Sequence, residues 1–111
     1  MDTSILNSIK KLLGLSEEYT PFDPDIIIHI NSAFSVLNQI GIGPAEGYFI
    51  TDANNLWSEF FPMGDPRYNM VVTYVYQKVK LAFDPPVTSS HIDALKSSIS
   101  ELEWRLNILR N

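Results

Sequence analysis

The stretch "LAFDPPVTSSHIDAL", residues Leu81–Leu95, joins two long apolar segments and decides how the chain folds. Asp84, Pro85 and Pro86 cannot continue a helix, because proline has no N–H to donate and its ring clashes with the preceding turn. The sequence therefore predicts that one helix ends here and another starts within a few residues. We interpret Asp84, Pro85 and Pro86 as an interhelical elbow that sets the angle between the two helices.

The helix after the elbow is predicted to run from about Ser90 to Leu109. Thr88, Ser89 and Ser90 are candidate N-caps, and Asp93 lies three residues after Ser90, as in a capping box. The apolar residues of this helix recur at alternating spacings of 3 and 4, which is typical of a narrow coiled-coil-like seam. These residues are Ile92, Leu95, Ile99, Leu102, Leu106 and Leu109.

Four residues of this last helix lie off the apolar stripe and form a candidate contact surface. Glu101 and Arg105 are four positions apart, a spacing that favours an ion pair on the exposed side. Trp104 and Ile108 are large apolar residues that lie off the stripe. Two interpretations stay open: Trp104 packs against helices two and four, or it anchors a contact with another chain.

Two helices are predicted before the elbow in the first part of the chain. The first runs from about Ser4–Leu13 and stops at a glycine. The second begins at Asp23, predicted as its N-cap, with Pro24 at the first helical position. It runs to about Gln39 or Ile40, where another glycine follows.

A loop-rich insert, Gly41–Phe61, separates the second helix from the next long one. Tyr48–Thr51 has the composition of a short strand, and one or two helical turns are predicted to begin near Asp52–Asn55. The fourth helix is predicted from Pro66–Phe83 and is apolar nearly all round, which is typical of a central helix or one covered by another chain. The fold class is therefore mainly α: a compact single-domain bundle of about four to five helices over residues 1–111.

Composition places the chain among ordinary globular proteins, since 45% of its 111 residues are hydrophobic and 19% are charged. The absence of cysteine excludes disulfides and thiolate metal sites. No run approaches the ~18 apolar residues of a membrane span, and the N-terminus lacks the pattern of a signal peptide. We expect a soluble, intracellular protein.

Charge is distributed unevenly along the chain, whose net charge is −5. Between Leu12 and Pro66 there is no Lys or Arg, but there are eight acids. Such a segment argues against direct binding of nucleic acid, which needs Lys and Arg to neutralise phosphates. The simplest interpretation is a solvated acidic face that aids solubility.

Catalytic, cofactor and metal sites are not indicated by any motif. Ser89, Ser90 and His91 are sequence neighbours at a helix start, so their side chains point in different directions and do not form a catalytic pair. His29 and His91 are too far apart in the sequence to suggest a metal site without cysteine. We expect no enzyme activity, no cofactor and no metal.

Three stretches, "FDPDIIIHINSAFSVLNQIGIGPAEGY", "VYQKVKLAFDPP" and "ELEWRLNI", resemble the small head–tail connector (adaptor) proteins of long-tailed bacteriophages and prophages, especially those of Gram-positive hosts. The resemblance extends from Ile5 to Ile108. It implies a virion structural protein whose copies form a roughly dodecameric ring under the portal. Such a ring extends the DNA channel and docks the next connector or tail component.

The resemblance also implies binding partners and a location in the virion. The partners are further copies of the chain, the portal protein and a downstream stopper or tail-completion protein, with DNA passing through without specific binding and no membrane involved. The protein would assemble in the host cytoplasm and then reside at the head–tail junction. Glu101, Trp104, Arg105 and Ile108 become candidates for the subunit or portal interface.

The acidic segment suggests a wall along which DNA slides, because anionic side chains repel its phosphates weakly. Glu46 and Glu59 are the candidate channel-facing acids. Two alternatives stay open. The first is a cytoplasmic helical regulator of phage origin, of the anti-repressor or inhibitor type. The second is another particle component such as a stopper, which would contain more β structure.

Overall fold

A computed structural model describes residues 3–108 and contains five helices in that range. They are α1 (Ile5–Leu12), α2 (Asp23–Gln39), α3 (Trp57–Phe60), α4 (Tyr68–Phe83) and α5 (Ser89–Ile108). Helix accounts for 61% of the structure, and the described residues contain no strand. The mainly α fold class predicted from the sequence is confirmed. Leu109, the last residue of the predicted stripe, lies outside the described residues.

The centre of the bundle is α4, which packs against α1, α2 and α5. Its nearly all-apolar surface explains this position, because each neighbouring helix covers a different part of it. The fully buried residues of α4 are Val71, Tyr74, Val75 and Val79. The buried residues of α2 are Ile26, Ile30, Ala33, Phe34 and Leu37.

The connection between α1 and α2 is fixed by a buried ion pair. The Lys10 side chain is fully buried, and its Nζ lies 2.9 Å from Asp23 Oδ1. The same ammonium donates a hydrogen bond to the Glu17 carbonyl at 3.0 Å. The prediction that Asp23 is the N-cap of α2 is wrong: Phe22 occupies that position without a side-chain cap, because the Asp23 carboxylate faces Lys10 instead.

Two other helix starts differ from the prediction. The fourth helix begins at Tyr68 and not at Pro66, because Asp65 Oδ1 accepts a hydrogen bond from the Arg67 backbone N–H at 2.8 Å and forms a turn before the helix. The last helix begins at Ser89, and Thr88 Oγ1 accepts a hydrogen bond from the His91 backbone N–H. Thr88 therefore caps α5, and the predicted box starting at Ser90 does not form.

The insert is attached to the start of the chain by backbone hydrogen bonds. The Ile5 N–H donates to the Asn55 carbonyl at 3.0 Å, and the Trp57 N–H donates to the Thr3 carbonyl at 3.2 Å. The predicted strand at Tyr48–Thr51 is not formed. Asn31 of α2 takes the place of a strand partner: its side chain exchanges two hydrogen bonds with the backbone of residue 50.

Aromatic rings fill the space between the insert and α2. The Phe60 ring stacks on Phe34 at a centroid distance of 4.2 Å, and the Trp57 ring meets Phe34 edge-on at 6.2 Å. Gly43 passes directly beside Phe60, where a Cβ atom would lie 2.5 Å from the ring. Because Gly43 also has a φ of +90°, both space and backbone conformation require glycine there.

Candidate functional site

The inner side of α5 is held against α4 by two polar contacts as well as apolar packing. Tyr74 Oη donates to Glu103 Oε2 at 2.6 Å, and Ser98 Oγ donates to Gln77 Oε1 at 3.0 Å. Residue numbers rise along α4 as they fall along α5, so the two helices run antiparallel. The elbow thus produces a helical hairpin whose inner side carries the predicted stripe.

Burial changes the protonation equilibrium of the tyrosine in this contact. Removal of Tyr74 from water raises its pKa above the ordinary value, and the nearby Glu103 carboxylate raises it further. Tyr74 therefore keeps its proton at neutral pH and donates a charge-assisted hydrogen bond, which is stronger than a neutral one. This bond fixes the register of α5 on α4.

The outer side of α5 presents the four residues that the sequence singled out. Trp104 is 62% exposed and Ile108 is 58% exposed. Arg105 Nε donates to Glu101 Oε2 at 3.0 Å, so the predicted i,i+4 ion pair is formed. The structure excludes the interpretation that Trp104 packs inside the domain. That Glu101, Trp104, Arg105 and Ile108 form an interface stays a prediction; we call these four residues the α5 face.

The elbow residues lie between α4 and α5. The Asp84 N–H donates to the Lys80 carbonyl at 3.0 Å, and the Asp84 carboxylate pairs with the Lys80 ammonium at 3.0 Å. Pro85 and Pro86 follow outside either helix, and Val87 is 98% exposed. The role of this segment as a rigid elbow in assembly stays a prediction.

Both candidate channel-facing acids lie in the insert and are exposed. Glu59 also has a structural role, because its Oε1 accepts hydrogen bonds from the Leu56 N–H at 3.2 Å and from Tyr48 Oη at 2.8 Å. The first of these is one half of a capping box at the start of α3. Burial, followed by the bond to Glu59, raises the pKa of Tyr48 to about 12. That Glu46 and Glu59 face a channel stays a prediction.

A second exposed apolar surface was not found from the sequence. The Phe22 ring lies 5.7 Å from Tyr19 and 5.2 Å from Phe83, measured between ring centroids. Tyr19 and Phe22 are exposed and Phe83 is half-buried. We call these three residues the aromatic patch. The only sequence signal was an aromatic residue on each side of a proline at position 21, which does not indicate exposure.

A shallow cleft of about 380 Å³ lies between α2 and α4, with His29 and Ser32 on one wall and Lys78 on the other. No hydrogen bond joins His29 to Ser32 in the described part of the chain. Within residues 3–108, no three side chains of the metal-ligating types lie close enough together to hold a metal ion. None of the described helices is both long and apolar enough to cross a membrane.

These features describe a small helical domain with large apolar side chains exposed on two surfaces. A comparison with protein families agrees: the model of the phage connector protein family matches residues 5–111. The chain belongs to this family. Comparisons with curated proteins and with solved structures give no match.

Family membership establishes the broad function. The protein is a head–tail connector of a bacteriophage, located at the head–tail junction of the virion, and it contacts other virion components such as the portal and the tail. The family is structural and not generally enzymatic. The alternative of a cytoplasmic regulator receives no support from these findings.

Proposed function

We propose that copies of this chain form a roughly dodecameric ring beneath the portal of a long-tailed phage or prophage of a Gram-positive host. The ring extends the DNA channel and docks a downstream stopper or tail-completion protein. Membership of the connector family over residues 5–111 supports the connector role. The cyclic arrangement is supported by the surfaces of the subunit itself.

The observation that carries the proposal is the α5 face. Trp104 and Ile108 expose large apolar side chains one helical turn apart on the same side of α5. Aromatic residues surrounded by charged side chains are typical anchors of protein interfaces, where burial away from water supplies the binding energy. A ring buries such a surface in every subunit, because a head-to-tail contact is repeated until the ring closes.

The acidic segment supports the channel function. The insert exposes Glu46 and Glu59, and no Lys or Arg occurs between Leu12 and Pro66 to offset them. An anionic lining lets DNA pass without holding it, because it offers no counter-charge to the phosphates. A ring structure in which both glutamates lie on the outer wall would overturn this part of the proposal.

The proposal includes an assembly order: subunits are made in the host cytoplasm and join the virion at the portal. Quantitative mass spectrometry of purified particles, with this chain counted against the portal protein, tests it. We expect a copy number close to that of the portal. Absence of the chain from intact tailed particles would refute the connector proposal and would revive the search for a soluble partner in infected cells.

A further inference from the structure

We infer that neighbouring subunits join through two different surfaces: the α5 face of one copy packs on the aromatic patch of the next. This inference rests on the proposed ring and goes beyond it, because it names both sides of the subunit contact. It follows from where the two surfaces lie, from their chemistry and from their charges.

The two surfaces point in opposite directions. With about 100° of rotation per residue, Trp104 lies about 170° around α5 from the mean direction of Ser98 and Glu103, which contact α4. By the same rotation, Phe83 lies about 150° around α4 from the mean direction of Tyr74 and Gln77, which contact α5. Because α4 and α5 pack side by side, the two surfaces lie on opposite flanks of the subunit.

The surfaces are also separated along the hairpin. The aromatic patch lies at the elbow end, since Phe83 is the last residue of α4. Trp104 lies fifteen residues beyond Ser89, about 22 Å along α5 at 1.5 Å per residue. Two unlike surfaces on opposite flanks and at different heights cannot meet in a two-fold dimer. They fit a heterologous contact, in which each copy uses one surface on each side.

The chemistry of the two surfaces is complementary. Both are aromatic or aliphatic at the centre, and each is bordered by one i,i+4 ion pair: Glu101–Arg105 on α5, and Lys80–Asp84 next to Phe83. The exposed acids Glu17, Glu18 and Asp25 also lie beside the aromatic patch, so its border is acidic, whereas the α5 face carries the paired Glu101 and Arg105. In contact, the acid of each ion pair can face the base of the other pair, which favours a single register.

The absence of cysteine allows a direct test by cross-linking. Ser100→Cys places a thiol on the outer side of α5, one turn before Trp104, and Thr20→Cys places one between Tyr19 and Phe22. Both positions are exposed. Particles carrying the double variant would be treated with a short bis-maleimide and analysed on denaturing gels. We expect a ladder of covalent oligomers that extends beyond the dimer.

The matched control pairs Ser100→Cys with Ser35→Cys, another exposed serine replacement, on α2. We expect at most traces of cross-linking from this pair and from either single variant. Dimers from Ser100→Cys alone would show that two α5 faces meet, which overturns the inference. Cross-links to the portal protein through Ser100→Cys would assign the α5 face to the portal and overturn it as well.

The copy number of the chain in the same particles separates the two proposals. Normal copy number without the ladder would refute the head-to-tail contact and leave the ring proposal standing. Absence of the wild-type chain from particles would refute the ring proposal itself. If Ser100→Cys lowers incorporation, Ser97→Cys, exposed on the same side of α5, replaces it in the same design.

Discussion

The insert and the last helix are the two regions of this subunit that differ most in how they are held. Trp57 and Phe60 of the insert are buried among aromatic rings, and backbone hydrogen bonds join the insert to the start of the chain. By contrast, only Ile99 and Leu106 are buried among the twenty residues of α5. Each region has one tryptophan: Trp57 of the insert is buried, and Trp104 of α5 is exposed.

This difference separates folding from assembly. The insert completes the core of the monomer, since its rings replace water around α2. The last helix adds only Ile99 and Leu106 to the buried core, and Trp104 and Ile108 on its outer side are exposed. Substitutions in the first region should therefore change the free energy of unfolding, and those on the α5 face should change incorporation into particles.

Trp57→Ala should have the largest effect on stability. The substitution leaves a cavity between Phe34 and Tyr68 and removes the hydrogen bond from Trp57 Nε1 to Ser8 Oγ at 2.7 Å. We expect a loss of about 3–5 kcal/mol in the free energy of unfolding, measured by urea denaturation. A loss below about 1 kcal/mol would show that the insert does not belong to the monomer core.

Lys10→Ala should rank second. It leaves the Asp23 carboxylate, which is mostly buried, without its ion-pair partner and removes the link to the Glu17 carbonyl. We expect a loss of about 3 kcal/mol, because breaking a buried pair costs more than the pair contributes. Lys11→Ala is the matched control, since Lys11 is exposed; equal effects of the two variants would contradict the structural role of Lys10.

Tyr74→Phe tests the polar contact between α4 and α5. It leaves Glu103 without its hydrogen-bond donor, and we expect a loss of about 1–3 kcal/mol at neutral pH. Because the pKa of Tyr74 is raised in the folded state, its contribution is fully present below the unfolded pKa of about 10 and is lost as the pH rises further.

The pH dependence of unfolding checks this assignment. Wild-type stability should fall above a pH of about 10, because the unfolded chain then releases protons that the folded protein retains. The fall should be shallower in Tyr74→Phe, with a remainder from Tyr48, whose pKa is raised to about 12. Identical alkaline slopes in the two proteins would contradict the role of Tyr74.

Trp104→Ala should have the smallest effect on the monomer. Since the side chain is 62% exposed, we expect a change within about 0.5 kcal/mol in the free energy of unfolding. Incorporation into particles should nevertheless drop, as counted by mass spectrometry. A large loss of monomer stability with normal incorporation would show that Trp104 supports folding of the subunit and not its assembly.

The sequence predicted the type and approximate range of every long helix, because apolar periodicity and proline or glycine breaks are local signals. It was less accurate at the helix starts. Asp23 and Asp65 both precede a proline at a predicted helix start, yet Asp23 pairs with Lys10 and Asp65 forms a turn with Arg67. The choice of partner depends on which side chains the fold brings near.

Local patterns in the chain alone therefore determined the mainly α fold, the break at Asp84–Pro86 and the solvent-facing ion pair at Glu101. Tertiary structure decided the rest: the burial of Lys10, the attachment of the insert to the first helix, the exposure of Trp104 and the formation of the aromatic patch. Those features join residues far apart in the sequence, and whether a side chain is buried depends on what packs against it, which no local pattern contains.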